Sequence, residues 1–139
     1  MNKQLEQLEI VICVNENMAL KTSALVEKLL EKYGAEAQMV LFNCAEKCLE
    51  YLEVHSPGIV ILGMDIGETD GIELGEEILA ININRRIDIV YVSGHPERAF
   101  EAFAVRPFAF VRESDFEKDM ADFVERYTKT RLCIENAPE

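Results

Sequence analysis

The chain has 139 residues, a length that fits one domain with an ordinary core. Apolar residues make up 49% and charged residues 29%, which places it with globular rather than disordered chains. A net charge of −12, with Arg85-Arg86 the one adjacent basic pair, argues against nucleic-acid binding by these residues themselves.

No apolar run reaches membrane-spanning length, and the polar opening MNKQLEQLE lacks the apolar core of a secretory signal. A cytoplasmic chain with no membrane contact is expected. In a reducing compartment Cys13, Cys44, Cys48 and Cys133 are expected as buried structural thiols rather than disulfides. Cys44 and Cys48 share a helix face, but a metal there needs two further soft ligands, and His55 and His95 show no matching spacing.

In chain order, runs apolar on both faces alternate with helical patterns. The first run is residues 8–14 (LEIVICV). Met18, Thr22, Leu25, Val26, Leu29 and Tyr33 then recur at three and four, and Gly34 stands where that helix stops. The second run is residues 37–42 (AQMVLF), followed by Asn43 and Glu46 at capping-box spacing and the face Ala45, Cys48, Leu49, Leu52. The third run is residues 58–62 (GIVIL). After an acidic loop, Asp70 and Glu73 predict the cap of a third helix.

The fourth run, residues 87–92 (IDIVYV), precedes Pro96, which suits the first turn of a fourth helix. There Ala99, Ala102 and Phe103 share the predicted core face, and Phe100 falls off it. The fifth run is residues 108–111 (FAFV). Ser114 and Glu117 then carry capping-box spacing before the face Phe116, Met120, Phe123, Val124, Tyr127. After Tyr127 the helical period is lost. A domain of residues 1–128 is expected, with 129–139 a tail or the start of a linker, and 131–135 able to begin a strand of a further domain.

Strand then helix, five times, predicts an α/β fold with a doubly wound five-stranded parallel sheet. Function in such a fold sits at the carboxyl ends of the strands. Those ends hold Val14, Asn15 and Glu16 after the first strand, and Gly63 with Asp65, Glu68 and Asp70 after the third. Ser93 and Gly94 follow the fourth strand, and Arg112 and Glu113 the fifth.

The five units, DGIEL after the third strand, a small hydroxyl residue at the fourth and AFEAFAVRPFAFVRES at the fifth resemble a CheY-like response-regulator receiver domain, flavodoxin-like in fold. They are most similar to receivers that precede LytTR-type DNA-binding domains, and the resemblance runs from about Leu8 to Tyr127. It implies an acidic pair after strand one that holds Mg²⁺, and a phosphoacceptor Asp ending strand three. It also implies a hydroxyl ending strand four and a Lys ending strand five. Phosphoryl transfer to a carboxylate needs that charge neutralisation and those oxygen ligands.

Carried over position by position, the pattern fails. The acidic pair is Val14 and Asn15, with Glu16 keeping only a frequent third acid. Counting back seven from Asp70 puts the acceptor at Gly63, and the lysine position holds Glu113. A carboxylate about 4 Å from an incoming phosphoryl group repels it by several kcal/mol at an effective dielectric near 20. Ser93 and the aromatic Phe110 are kept.

Asp65 is the rescue candidate, but bringing it to the strand end shortens the loop before Asp70 by two residues; a solvated loop acid is the expected role. Glu16, Asp65 and Glu113 are expected as solvated or capping acids rather than metal ligands, and Glu73, Glu76 and Glu77 as a solvated helix face. Ser93 suits a cap on the fourth helix. The resemblance gives Ser93 and Phe110 a coupled switch role, expected here to be frozen in one state. It also implies association through the helix 4–strand 5–helix 5 face, where Phe100, Arg98 and Arg106 suit a surface for a protein partner or a homodimer.

The reading is a pseudo-receiver: a non-enzymatic signalling module of a two-component-type, transcription-related regulator, acting by protein interaction or dimerisation without Asp phosphorylation. No cofactor, Mg²⁺ included, is expected, and DNA is reached only through a C-terminal domain outside these residues. The alternative is a phospho-accepting receiver using Asp65 with Mg²⁺. A nucleotide- or flavin-binding fold is disfavoured, because NENMAL after strand one has no glycines to cradle phosphate.

Overall fold

The computed structural model describes residues 8–81 and 86–134; Arg85, the opening residues 1–7 and the tail 135–139 lie outside them. Five strands alternate with five helices: β1 (Glu9–Cys13), α1 (Glu16–Glu31), β2 (Gln38–Phe42), α2 (Ala45–Val54), β3 (Ile59–Gly63), α3 (Gly71–Ile81), β4 (Asp88–Ser93), α4 (Ala99–Ala102), β5 (Ala109–Arg112) and α5 (Phe116–Thr130). The sheet is parallel throughout, in the order β2-β1-β3-β4-β5. The predicted doubly wound α/β architecture is therefore the observed one. Sheet order reverses between β1 and β3, which opens a crevice at their carboxyl ends.

Strands apolar on both faces form two cores, one per face. Ile10, Ile12, Ile59 and Ile61 pack under α1 and α5, against Val26, Leu29, Met120 and Phe123. Val11, Cys13, Val60 and Leu62 pack under α2, α3 and the α4 segment, against Cys48, Leu52, Ile78 and Ala102. Fully burying each such Leu or Ile stabilises the fold by about 1.5–3 kcal/mol. Gly34 ends α1 as expected: its φ is +71°, and its N–H donates to Glu31 C=O at 3.0 Å.

Several local expectations are corrected. Asn43 does not cap α2; Cys44 holds that position, in extended conformation, with its carbonyl accepting from Cys48 N–H at 3.1 Å. Ser114 does not cap α5, because Glu113–Asp115 form a 3-10 turn and Asp115 takes the cap position. The fourth helix is a 3-10 turn, Pro96–Arg98, followed by only four α-helical residues. It stops so early that Phe103 is 69% exposed instead of joining the core with Ala102.

The helical period does not end at Tyr127. α5 runs to Thr130, Leu132 is buried in the first core, and Ile134 N–H donates to Thr128 C=O at 2.9 Å. Arg131 is bound bidentately by Asp88 at 2.8 and 2.9 Å, so residues 131–134 pack on the domain and form no strand. Cys13 and Cys48 are buried as expected, whereas Cys44 is partly exposed and Cys133 exposed.

Candidate functional site

β3 delivers Gly63 as its last residue, in register with Val92 of β4. A Cβ at Gly63 would lie 3.6 Å from Val14 Cα, 3.7 Å from Val14 Cβ and 3.8 Å from Asp65 O, all ordinary contacts. The position therefore looks into a pocket of about 400 Å³ bordered by Val14, Asn15, Gly63, Asp65, Ser93 and Glu113. Six of the residues singled out from the sequence thus meet in one place. Asn17, Met64 and His95 also line it. These three sit one to three residues beyond a strand end or a named residue, so their proximity to such ends was the available signal.

Glu16 is not among the lining. It faces a separate cleft with Leu41, Asn43, Cys44 and Lys47. Glu16, Asp65 and Glu113 are therefore not one cluster. Among the described residues, no three His, Cys, Asp or Glu side chains are placed to hold a metal ion.

Local chemistry fixes each wall. Val14 continues β1 into the first core and is 1% exposed, so the pocket meets an apolar side chain there. Asn15 is the N-cap residue of α1 in extended conformation and is exposed. Ser93 is buried; its Oγ accepts the His95 N–H at 2.8 Å, so the hydroxyl closes the turn leaving β4 rather than capping α4 directly. The Glu113 carboxylate comes within 3.4 Å of where a Gly94 Cβ would stand, so it lies against the β4 end of the pocket lining.

Asp65 stays two residues past the strand end. It is exposed and pairs antiparallel with Asp70 in a small hairpin, Asp65–Ile66 against Thr69–Asp70, turned by Gly67 at φ +62°. The register that places Gly63 at the strand end is thus the register observed. Asp70 is the predicted cap: its Oδ1 accepts Ile72 N–H at 2.9 Å.

Asp70 also receives Arg98 Nη2 at 3.0 and 3.2 Å, and Arg98 reaches Glu101 at 3.0 Å. The hydrogen bonds that Arg98 donates to the Glu101 and Asp70 carboxylates push its guanidinium further up from its ordinary value. Arg98 is therefore an internal clasp between the hairpin and the β4–α4 turn, not a side chain open to a partner. Behind it, the buried Tyr91 hydroxyl donates to Gly71 C=O at 3.0 Å, and burial pushes its phenol up.

Phe110 does not share the pocket with Ser93. It is half-buried, its ring centroid 6.5 Å from that of Tyr91, and it lines a groove of about 710 Å³ between α4, β5 and α5. Phe103, Arg106, Arg112 and Asp119 line the same groove. Arg106 is exposed with φ 55°, and Phe100 is 81% exposed with its ring edge-on to Phe103 at 5.9 Å. Asp119 binds Arg112 through Nε at 2.8 Å and Nη2 at 3.0 Å, which holds its carboxyl below the usual range.

A parallel sheet in this order, with a pocket at the β1/β3 switch, defines the class: a flavodoxin-like, doubly wound domain. No protein-family model matches the sequence, and no curated protein is significantly similar to it. Solved structures do match. The chain is similar to the phosphorylated cyanobacterial phytochrome response regulator RcpA, with TM-score 0.70 and 15% identity over 96% of this chain and 99% of that one. It is similar to the response regulatory domain of mrkE from Klebsiella pneumoniae, with TM-score 0.71 and 20% identity over 88% and 96%. It is also similar to TrrA of Thermotoga maritima in complex with Mg²⁺-BeF, with TM-score 0.67 and 16% identity over 86% and 97%. At these identities the likeness is one of fold: the chain has the fold of CheY-like response-regulator receiver domains.

Receivers with Mg²⁺ invite a test of fit. Here the first strand offers a buried valine and an amide, the third no side chain at all, and the remaining acids are Asp65 and Glu113. That donor set does not fit a divalent cation that prefers six oxygens in near-octahedral array.

Proposed function

We propose that the chain is a pseudo-receiver, a non-enzymatic signalling module of two-component type that takes no phosphoryl group. One observation carries the reading. The acceptor position is Gly63, in ordinary contact with buried Val14, and the pocket lining carries the Glu113 carboxylate where a cation is needed. Phosphoryl transfer depends on positioning and charge neutralisation, and both are missing at the same point. The Arg98–Asp70 clasp supports a β4–α4 turn held in one state.

Output is proposed through the α4–β5–α5 face, to a protein partner or a second copy. The exposed Phe100 and Phe103 and the groove beside Arg106 suit an aromatic-anchored interface. A role in transcription regulation, with DNA reached through a LytTR-type domain outside these residues, belongs to the same proposal, as does a cytoplasmic location. Among the described residues no helix is long and apolar enough to cross a membrane.

Phospho-accepting use of Asp65 is the second reading, since Asp65 does border the pocket. Incubation with a small phosphodonor, or with beryllofluoride and Mg²⁺, separates the two. The pseudo-receiver shows no phosphoryl mass gain and no change in amide shifts around the pocket. A mass gain that disappears in Asp65→Ala establishes the second reading instead.

A further inference from the structure

β2 is one edge of the sheet and, among the described residues, pairs only with β1. Gln38 N–H donates to Leu8 C=O at 2.9 Å, so the two-residue alternation turns Gln38, Val40 and Phe42 toward β1. The N–H and C=O of Met39 and Leu41 then point outward, along an open edge. The register with β1 is unbroken from Gln38 to Phe42, so no bulge twists this edge away. Leu41 is 37% exposed, and Met39, Val40 and Phe42 are partly buried.

The two edges of the sheet differ in their protection. β5 follows Pro107 and ends in Arg112, whose N–H is taken by Asp119 Oδ2 at 3.0 Å. Proline and charge are common guards against strand pairing. β2 has neither: residues 37–45 carry no charge and no proline, in a chain of net charge −12. The cleft beside Leu41 is lined by one acid, Glu16, and one base, Lys47, so it adds no net charge to this edge.

We propose that β2 pairs antiparallel with β2 of a second copy about a two-fold axis at Val40, joining the two sheets into one. A pairing centred there sets Met39 opposite Leu41 of the second copy, and Leu41 opposite its Met39. Those are the residues whose backbone groups face outward, so each opposed pair exchanges both backbone hydrogen bonds. Met39 packs on the core under α1, and Leu41 shares its cleft with Ala19 of α1, so both side chains lie on one face. Met39 and Leu41 from the two copies then form one apolar strip beside the axis. Charge selects the occupant. A basic partner is drawn to the acidic remainder of the surface, whereas an uncharged strip is where two chains of −12 approach with least repulsion. β2 is the sheet edge opposite β5, so this dimer leaves the α4–β5–α5 face free for a different protein. It is also independent of whether the pocket takes a phosphoryl group.

Sedimentation equilibrium of the full chain under reducing agent, from about 1 μM to about 1 mM, reads the association. The pairing predicts a monomer–dimer equilibrium that tightens with added sodium chloride, because salt screens the repulsion between two acidic chains. Amide exchange by NMR over the same concentrations should slow at Met39 and Leu41, by about tenfold where about nine-tenths of the chain is dimeric. Gln38, Val40 and Phe42, already bonded to β1, change far less. Leu41→Lys, checked for folding by circular dichroism, sets two cations diagonally across the axis and weakens the dimer about tenfold or more. Phe100→Ser combined with Phe103→Ser leaves it unchanged. A monomer throughout the range overturns the proposal, as does a dimer that salt dissociates or one whose Met39 and Leu41 amides exchange freely. So does a dimer that keeps its full strength in Leu41→Lys and is lost in the Phe100 and Phe103 double variant.

Discussion

Gly63→Asp returns a carboxylate to the strand end, and the structure says what that costs. Its Cβ enters at 3.6–3.8 Å from Val14 and the Asp65 carbonyl, so no clash opposes it. The cost is electrostatic: the pocket is lined by Asp65 and Glu113 and by no Lys or Arg, His95 being its one basic group. At roughly 6–8 Å and an effective dielectric near 40, each contributes about 1 kcal/mol of repulsion. Restricting the unfolded chain at a former glycine offsets about 0.5–1 kcal/mol. A net loss of about 1–2 kcal/mol is expected at neutral pH.

Like charges raise the folded-state value of the introduced carboxyl above its unfolded value of about 3.9. Between those values the folded state binds the extra proton, so stability falls as pH rises through the window. The penalty is therefore small near pH 4 and complete by neutral pH. Urea titrations of parent and variant across that range measure it. The substitution still takes no phosphoryl group from a small donor, because Val14 and Glu113 remain. A variant as stable as the parent at every pH, or one phosphorylated by this change alone, refutes the argument that charge at this pocket forbids the chemistry.

Other consequences follow from single contacts. The Thr22 hydroxyl is buried among α1 core residues with no hydrogen-bond partner, so Thr22→Val raises stability by about 1 kcal/mol, read from the urea midpoint. Asp119 has a lowered value, set first by its hydrogen bonds from Arg112, so its contribution is present above the unfolded carboxyl value and lost as pH falls through the folded one. Asp119→Asn should therefore cost stability at pH 7 and flatten the acid limb of the stability curve. A Cβ at Gly75 meets the Tyr91 hydroxyl and both Val105 methyls, so Gly75→Ala costs about 2 kcal/mol or more in thermal unfolding. Tyr91→Phe in the same chain recovers part of that loss; no recovery means the clash lies elsewhere.

The sheet was legible because residues 59–62 and 89–92 are buried on both faces, which leaves unbroken apolar runs. Gly63 was legible as the strand end because the DG pair at Asp70-Gly71 fixed the count. The hairpin at Asp65–Asp70 was not, since two-residue strands leave no period to read. Phe103 misled because its helical spacing with Ala99 and Ala102 is real, but the helix stops at Ala102 and the chain turns out through Arg106. Arg98 looked like surface charge because its partner, Asp70, lies 28 residues away, beyond any local pattern. The end of α5 was misplaced for the same reason: Leu132 and the Arg131–Asp88 pair are contacts with distant strands.

The central claim is that this receiver fold carries no phosphoryl chemistry. It is tested most directly by intact mass and amide shifts of the unmodified protein given a phosphodonor, or beryllofluoride with Mg²⁺. The account predicts an unchanged mass and unmoved signals for Gly63, Ser93 and Glu113. A stoichiometric phosphoryl adduct, lost in Asp65→Ala, would contradict it.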